Sequence, residues 1–84
     1  MRFLAIGTWD SADPRIPQLL TAEKKRTGEL AEEGFIEQVL LRADGGGGFM
    51  IVDAATADAA HERLATLPFM QEGLMSVELV ELKG

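Results

Sequence analysis

The 84-residue sequence contains no cysteine, no tyrosine, and only one tryptophan and one histidine. Without cysteine, disulfides and thiolate metal sites are excluded, and a single histidine argues against a zinc site, so we expect no metal. Basic residues are also scarce, with 8 Lys and Arg against 14 Asp and Glu and a net charge of −6. Because nucleic acids and anionic membranes are bound by basic patches, we expect neither as a partner.

Long apolar runs are missing as well. The N-terminal segment MRFLAIGTWD is apolar only until Asp10. It is therefore shorter than a secretory signal core or a membrane span of about 18 residues. With no cysteine in addition, we expect a cytoplasmic protein that does not enter a membrane.

The remaining composition is that of an ordinary globular protein, at 46% hydrophobic and 26% charged residues. Residues 1–84 are enough for a single domain, and one this small buries only about 60 to 65% of its unfolded surface. Since neither disulfides nor metals can supplement so small a core, we expect self-association, as a homodimer or a higher homo-oligomer.

Hydrophobic patterning predicts four strands and two helices. Helix signals are Asp13 before Pro14, Gly34 as a C-cap, Thr56 as an N-cap and Pro68 as a terminator. The predicted order is strand 2–8, helix 14–34, strand 35–42, a glycine-rich connection, strand 49–53, helix 57–67, loop 68–73 and strand 74–82. This βαββαβ order predicts an α+β, ferredoxin-like domain whose four-stranded antiparallel sheet carries both helices on one face.

Both faces of the predicted sheet are apolar. Strand one places Phe3 and Ala5 on one face and Leu4 and Ile6 on the other, and the other strands behave similarly, with Ile36 expected beside Leu40. Two helices can cover only one face. We therefore expect a second copy to cover the other face, forming a dimeric α+β barrel.

Glu23 is the most conspicuous polar residue of the first helix. On a helical wheel it lies on the apolar face with Ile16, Leu19 and Leu20. A carboxylate held among leucines must be paired, protonated or in contact with a cavity, and burial raises its pKa toward the range useful for moving protons from carbon. Alternatively, Glu23 reaches the rim or pairs with Arg42.

Other candidates each have a structural and a functional interpretation. His61 is expected on the inner face of the second helix, as a proton shuttle or as a helix-edge residue bonded to backbone. Arg42, at the end of strand two, is an anion clamp or a solvated arginine. Trp9 lines a pocket mouth or an oligomer contact. The run Gly45 to Gly48 lacks a following Lys-Ser or Lys-Thr and joins two strands, which does not favour a phosphate loop.

Three segments, LLTAEKKRTGELAEEG at 19–34, IVDAATADAAHERLATLPF at 51–69 and VELVEL at 77–82, resemble the muconolactone delta-isomerase family of dimeric α+β barrels. In that family a helix-one glutamate carries a proton between two carbons of an unsaturated lactone without a cofactor, and this glutamate falls on Glu23. The family's second strand resembles His-Leu-Trp-Arg, whereas here Gln38 to Leu41 precede Arg42, so only the arginine can be matched.

Together these observations predict an isomerase that shifts a proton in a small unsaturated lactone or enone and needs no cofactor. Glu23 would be the acid/base and Arg42 the group that orients or stabilises an enolate, while Trp9, Leu19, His61 and Phe69 would line the pocket. The alternative is a small-molecule-binding or oligomer-forming protein of the same fold without chemistry.

Overall fold

The computed structural model describes residues 1–83 and contains the expected four strands, with one helix more than expected. The elements are β1 (Arg2–Trp9), α1 (Arg15–Glu32), β2 (Ile36–Leu41), β3 (Gly47–Asp53), α2 (Ala57–Leu64), α3 (Pro68–Gln71) and β4 (Met75–Leu82). The α+β order is therefore confirmed.

The strands form one antiparallel sheet in the order β2-β3-β1-β4. In the central pair, Ala5 of β1 lies opposite Met50 of β3, and on its other side it lies opposite Leu79 of β4. The long connections through α1 and α2 place each next strand away from its predecessor, which gives the ferredoxin-like topology that the sequence predicts.

One face of the sheet packs against the helices and forms the core. Phe3, Ala5, Met50 and Val52 from the central strands are buried there. The helices and their connection contribute Leu30, Ala60, Leu64, Leu67 and Phe69 to the same cluster. The residues between them in β1 and β3, Leu4, Ile6, Phe49 and Ile51, project from the opposite face because side chains alternate along a strand.

Strand β2 contains a bulge that reverses one expected orientation. Ile36 pairs with Val52 and Gln38 with Ile51, so the register shifts at Glu37. Ile36 consequently lies on the helix side, where it is buried, and the expectation that it shares a face with Leu40 is wrong. Leu40 pairs with Phe49 on the open face and is 54% exposed.

Helix α1 begins at Arg15, one residue later than expected, with Pro14 as an N-cap residue that makes no side-chain cap hydrogen bond, and it ends before Gly34 as expected. The Asp13 carboxylate accepts the backbone N–H of Arg15 at 2.9 Å, and Gly34 has a φ of 83° at the other end. There the N–H groups of Gly34 and Phe35 donate to the carbonyls of Ala31 and Leu30, the hydrogen-bond pattern of a Schellman cap. No helix within residues 1–83 has both the length and the apolar character needed to cross a membrane.

Helix α2 is shorter than expected and is followed by a single-turn helix. The Thr56 hydroxyl accepts the N–H of Ala59 at 3.0 Å, which confirms the cap, but α2 ends at Leu64 and not at residue 67. Pro68 does not simply stop a helix, since it occupies the first turn of α3, where a missing N–H loses no intrahelical bond. The segment predicted as a loop therefore presents an ordered backbone to α1.

Candidate functional site

A cavity of about 240 Å³ lies between α1, α3 and the helix-facing side of the sheet. Its floor is formed by Gly7, Gly48, Met50 and Met75 from the three strands β1, β3 and β4. All four are buried, and none carries a charge. The floor is therefore apolar, which suits the hydrocarbon part of a ligand.

The depth of the cavity depends on two glycines that lie opposite each other in β1 and β3. Gly7 and Gly48 are cross-strand partners on the helix-facing side. A Cβ on Gly7 would lie 2.8 Å from Sδ of Met75, and one on Gly48 would lie 3.2 Å from the Leu40 carbonyl oxygen and 3.8 Å from Cη2 of Trp9. A side chain at Gly7 would therefore displace Met75 from the floor, and one at Gly48 would crowd the Leu40 carbonyl and extend toward Trp9.

Two aromatic rings form one wall. Trp9, at the end of β1, and Phe69, in α3, both line the cavity, with ring centroids 5.3 Å apart and an interplanar angle of 67°. This edge-to-face arrangement is a favoured geometry for aromatic pairs. Phe69 is 1% exposed, so the wall is fixed by the core behind it.

The mouth lies between α1 and β2. The lining residues on these elements are the most exposed of the set, with Leu20 at 40%, Val39 at 42% and Leu41 at 70%. Lys24 follows Leu20 by one helical turn and is also exposed. A ligand would therefore enter past β2, with α1 forming the opposite side of the entrance.

Glu23 lies on the inner side of α1 and lines the cavity. Its Oε1 accepts the backbone N–H of Phe69 at 2.9 Å. Burial raises the pKa of the Glu23 carboxyl above its usual value, and the Phe69 hydrogen bond opposes that shift in part. Oε1 is anchored by this bond, whereas Oε2 has no hydrogen bond within residues 1–83. The carboxyl therefore has a raised proton affinity and one oxygen free to contact a ligand in the apolar cavity.

A polar network holds the α2–α3 connection against α1. Arg26, three residues after Glu23, donates from Nε to the Thr66 hydroxyl at 3.0 Å, and that hydroxyl donates to the carbonyl of Arg63 at 2.7 Å. Arg26 also pairs with Glu29. Because Thr66 precedes Phe69 by three residues, the network supports the backbone that supplies the Glu23 hydrogen bond.

The cavity brings together three of the site residues expected from the sequence. Glu23, Trp9 and Phe69 all line it, although they come from three separate elements. The anticipated pairing of Glu23 with Arg42 does not form, because the carboxylate is bound by the Phe69 N–H.

Arg42 is not among the lining residues. It follows Leu41, which faces the cavity, and strand alternation turns its side chain toward the opposite side of the sheet. There its guanidinium binds the Asp44 carboxylate. Arg42 therefore has no contact with Glu23.

Leu19 and His61 are also absent from the cavity lining. Leu19 packs against the core, and the adjacent Leu20 faces the cavity instead. His61 is exposed, since the short α2 buries only Ala60 and Leu64, and the expectation that His61 lies on its inner face is wrong.

Several lining residues were not expected as site residues. Gly7 and Gly48 carry no side chain whose chemistry could identify them, and Val39 and Met75 read as ordinary strand residues. The position of Lys24 could have been predicted, because it follows Glu23 on the flank of the apolar face of α1. Within residues 1–83 no cluster of three or more His, Cys, Asp or Glu side chains has the arrangement of a metal site.

Comparison with known proteins identifies the family. A sequence profile of the muconolactone delta-isomerase family matches residues 8–83. Curated protein sequences give no significant match. Among solved structures, the chain is similar to a 5-chloro-2-hydroxyhydroquinone dehydrochlorinase from Burkholderia phenoliruptrix AC1100, solved with 2,5-dihydroxybenzoquinone, at a TM-score of 0.80 and 21% identity over 99% of this chain and 94% of that one.

A muconolactone isomerase crystal structure is similar at a TM-score of 0.75 and 24% identity, covering 98% of this chain and 88% of that one. At these identities the two structures establish a shared fold, which agrees with the sheet order described above.

Proposed function

Because this chain belongs to the muconolactone delta-isomerase family, we propose that it is a cofactor-independent isomerase that shifts a proton between two carbons of a small unsaturated lactone or enone. The observation that carries the proposal is Glu23, a carboxyl of raised pKa that lines a 240 Å³ apolar cavity. Raised proton affinity in a carboxyl strengthens it as a base for taking a proton from carbon, and the protonated form can return that proton as an acid.

The proposed step needs only Glu23 and the substrate. The ionised carboxylate removes a proton from the carbon between a carbonyl and a carbon–carbon double bond, and the electron pair spreads into a dienolate. The protonated Glu23 then returns a proton to the far end of the double bond, so the substrate keeps its composition and the double bond moves by one position. The Phe69 N–H holds Oε1 throughout, which leaves Oε2 to make the transfer.

The names of the two similar structures support chemistry on a small ring. One is named a muconolactone isomerase, and the other, a 5-chloro-2-hydroxyhydroquinone dehydrochlorinase, was solved with the single-ring 2,5-dihydroxybenzoquinone. The cavity described here supports a single-ring ligand, since its volume is below the roughly 300 to 1,000 Å³ of pockets that hold drug-sized molecules.

The proposal is tested with α-angelica lactone, a neutral five-membered lactone whose double bond lies one position away from conjugation with the carbonyl. In deuterated buffer, proton NMR should show the wild-type protein converting it to the conjugated isomer with incorporation of deuterium. Glu23→Gln should lower the rate by at least about 100-fold, the lower end of general acid–base contributions.

Glu32→Gln is the matched control, because Glu32 is an exposed glutamate on the same helix and does not line the cavity. This variant should retain the wild-type rate. A Glu23→Gln variant that remains fully active would rule out the assignment, and binding of the lactone without conversion would identify the alternative, a binding protein of the same fold.

We also propose that a second copy of the chain covers the open face of the sheet. Leu4, Ile6, Phe49 and Ile51 occupy its centre, and Leu40 and Val80 on the flanking strands are 54% and 42% exposed. An apolar surface of this extent is typical of an interface between subunits. The two-fold pairing of this face would form the α+β barrel that the sequence predicts and would leave the cavity on the other side of the sheet accessible.

A further inference from the structure

The 65–71 segment, which comprises the connection after α2 together with α3, is bound to α1 at two points. Oε1 of Glu23 accepts the N–H of Phe69 at 2.9 Å, and Nε of Arg26 donates to the Thr66 hydroxyl at 3.0 Å. The two partners on α1 are three residues apart and so lie on the same side of the helix, and their partners on the segment are also three residues apart. One bond alone would let the segment turn about it, whereas two bonds side by side fix its orientation.

We propose that Arg26 and Thr66 are positioning residues of the proposed isomerase: they hold the Phe69 N–H against Oε1 of Glu23 and so leave Oε2 in place for proton transfer. Neither Arg26 nor Thr66 lines the cavity, so both act through Phe69 and not on a ligand. Their role in catalysis rests on the proposed function, whereas their effect on the Glu23 carboxyl can be measured without turnover.

The Phe69 N–H needs such support because α3 itself offers it no acceptor. The N–H groups in the first turn of a helix have no partner inside the helix, and α3 is a single turn of four residues. The Phe69 ring is fixed by the core, being 1% exposed, but a packed ring does not by itself fix the direction of the backbone N–H. The bond to Glu23 therefore depends on how the backbone that precedes Phe69 is held.

Thr66 is suited to this role because its hydroxyl bonds in both directions. It accepts from Arg26 and donates to the Arg63 carbonyl at 2.7 Å, so its one proton is committed and a lone pair faces α1. Arg26 is itself held, since its Nη1 lies 3.2 Å from a carboxylate oxygen of Glu29 and 3.7 Å from one of Glu33. A planar guanidinium fixed at one nitrogen keeps its Nε–H directed at Thr66.

This support has an electrostatic consequence for Glu23. The Phe69 hydrogen bond favours the ionised carboxyl and lowers its pKa, against the larger effect of burial, which raises that pKa. Within residues 1–83, the strands and α3 contribute no charged side chain to the cavity, and α1 contributes only the exposed Lys24 besides Glu23. If the 65–71 segment turns away from α1, the pKa of Glu23 should therefore rise further, because the burial remains and the opposing bond is lost.

The test follows the isomerisation of α-angelica lactone against pH in the wild type and in Thr66→Val, which breaks the bond to Arg26 without changing the net charge. The pH at which kcat reaches half of its limiting value should be higher in the variant, because more of Glu23 is protonated at a given pH. The limiting kcat should fall about fivefold, the equivalent of one hydrogen bond of ordinary net strength, while KM stays within twofold. Carbon-13 NMR titration of the Glu23 carboxyl should show the same upward shift of its pKa.

Two variants of threonine serve as controls. Thr66→Ser keeps the hydroxyl and should restore the pH profile and the NMR titration of the wild type. Thr21→Val makes the same substitution as Thr66→Val at an exposed position of α1 that does not line the cavity, and it should change neither. Arg26→Leu combined with Thr66→Val should lower the limiting kcat by less than the product of the two single effects, because both residues act through one bond.

The proposal is overturned if Thr66→Val lowers the Tm but leaves both the pH profile and the titration of Glu23 as in the wild type, which is the result expected of a purely structural bond. It is also overturned if Thr21→Val shifts them equally. A wild-type protein that does not convert the lactone would refute the proposed function alone, since the NMR titration would still decide whether Arg26 and Thr66 position the Glu23 carboxyl.

Discussion

The raised pKa of Glu23 should make the stability of the protein fall as pH rises. Burial is the main cause of this shift, and it acts only in the folded state, so the folded protein holds the Glu23 proton to higher pH than the unfolded chain does. The resulting stability is complete below the unfolded pKa, close to the ordinary value of 4.5, and is lost as pH rises through the folded pKa.

The perturbation is Glu23→Gln, which keeps an oxygen able to accept the Phe69 N–H but cannot ionise. One titrating group can change the free energy of unfolding by at most about 1.4 kcal/mol per pH unit. The wild-type value, relative to that of the variant, should therefore decline with a slope of up to this size above pH 4.5 and level off above the folded pKa. Urea unfolding of the wild type and of the variant, followed by circular dichroism between pH 4 and pH 8, measures the two free energies of unfolding.

Two other carboxyls act in a different pH window. The pKa of Asp13 is lowered by the side chain and the backbone N–H of Arg15, and that of Asp44 by the N–H of Gly46 and the Arg42 side chain. Their contribution is lost as pH falls below the ordinary aspartate value of 3.8, so it does not overlap the Glu23 window. A wild type and variant that show the same pH slope between pH 4.5 and pH 8 would refute the reasoning, and Glu32→Gln should behave as wild type.

Two further changes test the support of the site and the open face. Thr66→Val removes the acceptor of the Arg26 Nε–H and should lower the stability by about 1 kcal/mol, or roughly 4 to 8 °C in Tm. Thr66→Ser keeps the hydroxyl, so its Tm should lie within about 2 °C of wild type. Equal melting temperatures for the two variants would contradict the role of the bond. Ile6→Lys places a charge at the centre of the open face and should shift the mass found by light scattering to the 9.1 kDa of one chain. Gln18→Lys, on the exposed side of α1, is the control and should leave the mass unchanged. A wild-type protein that is already monomeric at micromolar concentration would disprove the second-copy proposal.

The fold was predictable because its signals are local. Alternation in β1, the Asp13 turn before α1, the Thr56 N-cap and the left-handed Gly34 each depend on a few neighbouring residues, and together they determine the element order. The bulge at Glu37 was not predictable in the same way, since the mostly exposed residues of β2 do not indicate where this strand gains a residue relative to β3.

The site was predictable only in part. The helical wheel identified Glu23 because one helix determines its direction, but the partner of Glu23 is a backbone N–H, which any residue could supply once α3 forms. The position of Arg42 could have been foreseen: Val39 and Leu41 face the helices, so alternation places Arg42 on the other side. His61 was misplaced because an eight-residue helix buries a stripe narrower than a wheel suggests.

The paired glycines on the cavity floor have a consequence for how such a protein can change. Gly7 and Gly48 belong to strands whose pairing does not depend on any side chain at these positions. Gain of a small side chain at Gly48 would shorten the cavity from below while Glu23 and Lys24, both on α1, kept their places. The depth of the cavity and the proposed acid/base Glu23 thus lie on different elements, so substitutions in the sheet could change the size of the cavity without moving that carboxyl.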